Sequence, residues 1–587
     1  MLKTKFFKDA KANVPHFLPG RTMIAYLLFG ALCLAGCSNK EMVKPEDSLA
    51  NVIPAEIPEP ADFRASGTMH KLAMERFLPP PSSAPSYRPP RHPTSSLAFN
   101  TEEYDRIQEN PFLEVLKNPQ STFSIDVDTA SYTNVRRFIN SGKLPPPDAV
   151  RIEELINYFR YDYPQPTGNL PFSFNTELTG APWNKENKLL LIGLQGVDIA
   201  TEKLPPANLV FLIDVSGSMD QENKLPLLIK SFKLLVSQLR KQDSVAIVVY
   251  AGQAGLVLPA TSGADKGKIL AALESLQAGG STAGGEGIQL AYRVDGENFI
   301  KNGNNRVILA TDGDFNVGAS SDSEMERLIE QKRKNGVFLS VLGFGMGNYK
   351  DAKMQKLADR GNGNYAYIDN LLEAKKVLVS QFGGTLLTIA KDVKLQVEFN
   401  PAKVKSYRLI GYEKRLLRPE DFADDSKDAG ELGSGHTVTA LYEIVPADGA
   451  SSVSQELTYQ TTQIKTDAKA RNELATIRFR YKKPHEEKSS EIIKKIPAGT
   501  VSINKAGDNI RFAAAVAEWG MILRNSEYKG TATYAQILEL ARMAKGTDSQ
   551  GYRAEFIRMV EMSEMLDGAS SLSRNSNDDL HDTNVIR

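Results

Sequence analysis

Residues 208–219 read Asn-Leu-Val-Phe-Leu-Ile-Asp-Val-Ser-Gly-Ser-Met, an apolar run that is followed by polar and small residues. The unbroken apolar run before Asp214 is typical of a strand that is covered on both faces. The strand ends on Asp214, Ser216 and Ser218, whose side chains all offer oxygen atoms. The stretch therefore predicts a buried parallel strand followed by a polar loop, which is where ligands bind in open α/β sheets.

Strand-like and helix-like segments alternate around this stretch. Apolar residues recur at helical spacing from Leu225 to Leu239. Further strands are predicted at 244–250, 306–311, 337–342 and 364–368, and further helices near 266–277, 284–296, 322–335, 350–360 and 371–390. This alternation predicts an α/β fold with a doubly wound, mostly parallel sheet.

Three loops that follow predicted strands are rich in oxygen ligands. They are Asp-Val-Ser-Gly-Ser at 214–218, Gly-Gly-Ser-Thr at 279–282 and Thr-Asp-Gly-Asp at 311–314. Hydroxyl and carboxylate groups without a nearby histidine or thiol favour a hard cation, and an octahedron of oxygen ligands is typical of Mg²⁺ or Mn²⁺. The residues alone also allow a simpler interpretation, in which these groups are only helix caps and turns.

With these three loops, the segment 206–390 resembles a von Willebrand factor type A (VWA) domain with a complete metal-ion-dependent adhesion site. The resemblance implies a Rossmann-like sheet. The resemblance implies that Mg²⁺ (or Mn²⁺) is the cofactor. Its implied ligand set is Asp214, Ser216, Ser218, Thr282 and Asp312, with the three hydroxyl groups binding directly and the two carboxylates partly through water. It also implies a free coordination position for an acidic side chain of a protein partner.

Two glycine-rich segments look superficially like nucleotide sites. Residues 279–287 lack the Lys-Ser/Thr pair of a phosphate-binding loop, and residues 343–347 lack the third glycine at the spacing of a dinucleotide-binding fingerprint. Tight turns of the same α/β domain explain both segments better. We therefore expect no bound nucleotide.

The regions around the VWA segment are similar to the domains that flank it in one group of bacterial lipoproteins. The residues that support this similarity are 122–159 before the segment, and 410–413 and 435–443 after it. We expect an α+β N-terminal domain at 101–205, a C-terminal domain of strands and helices at 391–567, and a disordered tail at 568–587. Within the first, Asp128 or Thr129 is expected to cap a helix that begins near Ser131.

The N-terminus has the pattern of an exported lipoprotein. A basic segment precedes the apolar run 23–34, which is too short to span a bilayer comfortably, and Leu-Ala-Gly-Cys then ends at Cys37. This resembles the bacterial lipobox, which implies a signal peptide at 1–36, lipidation (palmitate) at Cys37 and, with Ser38 next, the outer membrane of a Gram-negative cell envelope. The alternative is an uncleaved membrane anchor. Residues 37–100 are rich in proline and are predicted to be a linker.

Composition narrows the function classes. The chain of 587 residues has 71 Lys+Arg and 71 Asp+Glu, so it lacks the basic excess of a nucleic-acid-binding protein. Both cysteines lie within the first 37 residues, which excludes a disulfide framework or zinc ribbon in the folded part. We expect a non-enzymatic, membrane-anchored protein that binds a protein partner or mediates adhesion through its metal. The alternatives are a metal-assisted hydrolase and an accessory subunit of an ATPase or chelatase-like complex.

Overall fold

The computed structural model describes residues 102–582, apart from 282–283, 314, 316–321, 382–383, 385–386, 428, 448–462, 485 and the side chains after 569. The predictions for 1–36, for the linker, for Cys37 and for Thr282 therefore lie outside the described residues. Within the described part, no helix is both long and apolar enough to cross a bilayer.

The strands of the described residues fall before, within and after the VWA segment. They are β1 (Leu113–Glu114), β2 (Gln120–Ser124), β3 (Phe172–Ala181), β4 (Asn184–Gly196), β5 (Ala207–Asp214), β6 (Ser244–Tyr250), β7 (Ala254–Ser262), β8 (Asn304–Thr311), β9 (Val337–Gly343), β10 (Tyr365–Tyr367), β11 (Thr388–Phe399), β12 (Val404–Ile410), β13 (Leu416–Leu417), β14 (Gly430–Gly433), β15 (Thr437–Pro446), β16 (Glu473–Lys482) and β17 (Ser490–Pro497).

The α-helices of the described residues are distributed in the same three regions. They are α1 (Ala130–Asn140), α2 (Ile152–Asn157), α3 (Leu225–Gln238), α4 (Lys266–Glu274), α5 (Gly284–Glu297), α6 (Asp322–Lys334), α7 (Asp351–Arg360), α8 (Leu371–Lys375), α9 (Thr466–Ala470), α10 (Asp508–Arg524), α11 (Tyr534–Met543) and α12 (Tyr552–Asp582).

The central sheet confirms the predicted α/β fold. Its strand order is β10-β9-β8-β5-β6-β7, and only the edge strand β7 is antiparallel to its neighbour. Helices α3, α4 and α8 contribute to the apolar core on one face of the sheet, and α5, α6 and α7 contribute to the core on the other. Because β5 and β8 are buried along their whole length, their central residues are apolar without alternation, at 209–213 in β5 and 307–310 in β8.

The predicted helix 371–390 is wrong in its second half. Helix α8 ends at Lys375, a π-helical turn follows at Lys376–Ser380, and β11 already begins at Thr388. A Gly-Gly pair and the β-branched residues after it disfavour helix in this stretch, so the chain changes there from helix to strand.

The two flanking regions form one body, which corrects the prediction of two separate domains. Strand β2, before the VWA segment, pairs with β11 after it, and β4 pairs likewise with β15. The resulting sheets have the orders β1-β12-β15-β4-β3 and β13-β2-β11-β16-β17, and their apolar faces share one core. The VWA domain is thus inserted between strands of a single β-body.

Helices cover one side of this body. Helices α2, α10, α11 and α12 pack together around Trp183 and Trp519. A buried ion cluster joins them to the VWA domain: Arg136 of α1 forms ion pairs with Asp369, Glu373 and Glu555. We call this group the Arg136 cluster.

Two local predictions need correction. The N-cap of α1 is Thr129, but its side chain forms no capping hydrogen bond. Asp128 instead accepts a hydrogen bond from the Tyr365 backbone N at 2.8 Å and pairs with Arg415, because tertiary contacts offer it better partners than the helix start. The backbone of α12 continues to Asp582, so the chain from 568 to 582 is helical where a disordered tail was expected.

Candidate metal centre

Asp214 is the last residue of β5, and its buried carboxylate is oriented by three donors. Oδ1 accepts a hydrogen bond from the backbone N of Ser216 at 2.9 Å. Oδ2 accepts from the hydroxyl groups of Tyr250 at 3.1 Å and Thr311 at 3.0 Å. Burial raises the pKa of Asp214, and the charge of Asp312 acts in the same direction. A divalent cation beside this carboxylate would favour its ionised form.

Two hydroxyl groups lie next to this carboxylate. The Oγ atoms of Ser216 and Ser218 are 3.1 Å apart, and Gly217 between them begins a 3₁₀ turn. Adjacent ligands of an octahedral Mg²⁺ ion, each about 2.1 Å from the metal, are roughly 3.0 Å apart. The spacing of the two serine hydroxyls therefore fits one edge of such an octahedron.

Asp312 follows β8 and brings a second carboxylate to the same edge of the sheet. Its Oδ2 accepts hydrogen bonds from Lys224 Nζ at 2.9 Å and from Asn348 Nδ2 at 3.1 Å. Burial alone would raise the pKa of Asp312, but the hydrogen bond and charge of Lys224, together with hydrogen bonds from Ser218 and Asn348, hold it below its usual value. Asp312 is thus kept in its ionised form although its side chain is not exposed to water.

The predicted loop 279–282 lies against the loop 214–218. The backbone N of Gly279 donates to the carbonyl of Val215 at 2.7 Å, and that of Gly217 donates to the carbonyl of Gly280 at 3.0 Å. Gly280 has a φ of +83°, which a residue with a side chain rarely adopts. The loop that precedes Thr282 in the chain is therefore fixed beside Ser216 and Ser218.

Residues 343–347 form a tight turn, as predicted, and the turn makes room for Lys224. Gly345 has a φ of +80°, and a Cβ atom there would lie 2.4 Å from Lys224 Cε. Lys224 is only 3% exposed along its side chain, so its ammonium group is held between Asp312 and Asn348. The predicted ligand set does not include Lys224, Tyr250 or Asn348. The position of Tyr250 had a signal in the sequence, because Tyr250 is the last residue of β6, and it lies directly opposite Asp214.

The structure thus brings Asp214, Ser216, Ser218 and Asp312 together. The described residues contain no group of three or more His, Cys, Asp or Glu side chains that could hold a metal. A metal centre at this position therefore depends on serine and threonine hydroxyls, and the donor set of carboxylates and hydroxyls fits a hard cation such as Mg²⁺.

Comparison with known families agrees with this fold. The model of the von Willebrand factor type A domain matches residues 208–380, that of von Willebrand factor matches 98–191, and that of the C-terminal region of Uncharacterized protein YfbK matches 384–566. The chain is therefore a VWA-domain protein with flanking regions, and its central domain is of the protein-interaction type.

A relative with a similar sequence specifies the family further. The Uncharacterized protein YfbK of Escherichia coli (strain K12) is 47% identical over 481 residues, which is 81% of this chain and 82% of that protein. The chain belongs to the YfbK family of VWA proteins.

Solved structures show weaker likeness. The protein described as von Willebrand factor type A from Catenulispora acidiphila covers 67% of this chain and 91% of its own length, with 17% identity and a TM-score of 0.38. The ArnB paralog VWA2 from Sulfolobus acidocaldarius covers 68% of this chain and 98% of its own, with 15% identity and a TM-score of 0.34. The family assignment therefore depends on the sequence matches.

Proposed function

We propose that this chain is a lipid-anchored protein of the cell envelope whose VWA domain captures an acidic side chain of a partner protein through a bound divalent cation. The proposed ligands of Mg²⁺ (or Mn²⁺) are Asp214, Ser216, Ser218, Thr282 and Asp312. The observation that supports it best is the Ser216–Ser218 hydroxyl pair placed between two buried carboxylates. No catalytic step is part of the proposal.

The charges around the site favour an anionic ligand. Asp214 and Asp312 are the two carboxylates of the cluster, and Lys224 adds one positive charge at hydrogen-bonding distance from the second. A divalent ion would neutralise the two carboxylates, so Lys224 would leave the loaded site with a net positive charge. Bound Mg²⁺ would supply a coordination position for an anionic oxygen, and the charge balance favours a carboxylate there.

The start of the described chain lies beside the site. The backbone N of Gly347 donates to Glu102 Oε1 at 2.8 Å, and the backbone N of Glu103 donates to the carbonyl of Tyr349 at 3.1 Å. In the proposed arrangement, the proline-rich segment 37–100 joins the lipid at Cys37 to this point. An extended proline-rich chain spans about 3 Å per residue, so the domain could act on the order of 100 Å from the membrane.

The test compares metal-dependent capture by two variants of the same loop. Asp214→Ala removes a proposed ligand, whereas Asp220→Ala removes an exposed carboxylate from the same 3₁₀ turn and is the matched control. Full-length proteins are crosslinked in envelope fractions with and without EDTA, and Mg²⁺ binding is measured by calorimetry. We expect Asp220→Ala to bind metal and to capture partners that are lost when EDTA is added, and Asp214→Ala to do neither. Equal capture by both variants would contradict the proposal.

The anchoring has its own test. Cys37→Ser removes the only thiol available for lipidation at the lipobox. We expect the variant to leave the membrane fraction and to lose the added acyl mass in mass spectrometry. A variant that fractionates with the membrane as the parent does would contradict lipid anchoring without affecting the metal proposal.

A further inference from the structure

A second site lies where the VWA domain meets the β-body. A cavity of about 620 Å³ is lined by residues of the VWA domain, such as Arg306 and Asn364, and by residues of the β-body, such as Thr388 and Glu431. Its volume is within the range of small-molecule sites, which is about 300–1,000 Å³. The cavity is thus large enough for a small organic ligand.

Arg306 is the unusual residue of this cavity. It lies near the start of β8 and is 3% exposed. Its Nη1 donates to Ser340 Oγ at 2.6 Å, but its Nε has no hydrogen-bond partner. No carboxylate in the described part of the chain forms an ion pair with it. Burial lowers the pKa of Arg306 to about 10, against the opposing charge of Glu431, so the guanidinium group is still positive at neutral pH.

Two other charged groups of the cavity, Arg415 and Glu431, already have partners. Arg415 forms ion pairs with Asp126, Asp128 and Asp359. Glu431 accepts hydrogen bonds from Asn362 and Thr388. A buried guanidinium group without a counter-ion is costly, whereas one that faces a cavity can bind an anion from solution.

The cavity is separate from the metal centre. Arg306 and Asp312 lie at opposite ends of the same strand, which at about 3.3 Å per residue places them roughly 20 Å apart. A carboxylate group of a ligand can pair with Arg306 in the bidentate geometry that suits a guanidinium group.

We propose that the cavity between the VWA domain and the β-body binds a small ligand through a carboxylate group held by Arg306. The carboxylate could belong to a small organic acid or to the C-terminus of a short peptide. Both sources share the same chemistry at Arg306, and the probes below distinguish them.

The experiment measures binding of three probes to the full-length protein by calorimetry: succinate, the dipeptide Ala-Ala, and Ala-Ala amide, which lacks the carboxylate. We expect Ala-Ala amide not to bind. Binding of succinate and Ala-Ala would indicate a general carboxylate site, and binding of Ala-Ala alone would indicate a peptide terminus. The proposal would be overturned if neither carboxylate probe binds at 10 mM. A dissociation constant of that size corresponds to about 2.7 kcal/mol of binding free energy.

Variants connect the binding to Arg306. Arg306→Met should weaken the binding probe at least tenfold, Arg306→Lys should weaken it less, and Arg293→Met, at an exposed arginine of α5, should leave it unchanged. If Arg306 only supports the fold, Arg306→Met will lower the melting temperature and leave probe affinity unchanged, which overturns the proposal. Asp214→Ala should bind the probes as the parent does, so that a failure of the metal proposal can be distinguished from a failure of this one.

Discussion

Glu518 makes the stability of this protein depend on pH in a predictable direction. It lies in α10, is fully buried, and neither of its carboxyl oxygens has a hydrogen-bond partner in the described part of the chain. Burial raises the pKa of Glu518 from 4.5 to about 8. The carboxyl group is therefore mainly protonated in the folded protein at neutral pH but ionised in the unfolded chain.

The sign and size of the effect follow from this difference. Below about pH 4.5 the group is protonated in both states and does not affect the free energy of unfolding. Between pH 4.5 and 8 the folded state binds one proton more than the unfolded state, so stability falls as the pH rises. At about 1.4 kcal/mol per pH unit, the loss is roughly 3 kcal/mol at pH 7 and roughly 5 kcal/mol at pH 8.

The variant Glu518→Gln buries a neutral group of the same shape and should lose this pH dependence. We expect it to match the parent within about 1 kcal/mol near pH 4.5, and to be more stable than the parent by roughly 3 kcal/mol at pH 7. Urea unfolding followed by the fluorescence of the two buried tryptophans, one of which is the neighbouring Trp519, reports the difference. Glu539→Gln on the exposed side of α11 is the control. Parallel stability curves for the parent and Glu518→Gln from pH 5 to 8 would refute the argument.

Two further substitutions test the charges around the VWA domain. Lys224→Met removes the ammonium group that pairs with Asp312. We therefore expect the Mg²⁺ affinity measured by calorimetry to rise about tenfold, or about 1.4 kcal/mol, and the metal-free protein to melt at a lower temperature. An unchanged affinity would show that Lys224 does not influence the metal. Arg136→Met leaves the three carboxylates of the Arg136 cluster without their ion-pair partner and should cost about 3–5 kcal/mol in urea unfolding. Arg418→Met, at an exposed ion pair, should leave the free energy of unfolding nearly unchanged. Similar losses in both variants would contradict the importance of the cluster.

The central sheet was predictable because its signals are local. The apolar run of β5 and the polar residues directly after it are contiguous in the chain, and the rule that ligands bind at the carboxyl ends of parallel strands then brings Asp312 to Asp214. Lys224 was not predictable in this way, because its contact with Asp312 depends on the turn at Gly345 folding over it.

The β-body shows the opposite case. Phe123 pairs with Leu395, and Leu191 pairs with Leu441, although the whole VWA domain separates the two partners in the chain. Such pairings depend on which strands meet after long loops have closed, and no residue pattern within one strand specifies its distant partner. The two flanks therefore looked like separate domains in the sequence.

The insertion determines how the VWA domain, which carries the proposed metal centre, is connected to the β-body. Because β2 pairs with β11, the chain segments before and after the VWA domain are hydrogen-bonded to each other. The Arg136 cluster adds buried ion pairs between α1 and the end of the VWA segment. Force from a partner bound at the proposed metal centre would thus act on these hydrogen bonds and ion pairs. Since Glu102 also contacts the turn at Gly347, beside the loops of the proposed metal centre, the proposed membrane tether and the proposed partner would act on neighbouring parts of the same domain.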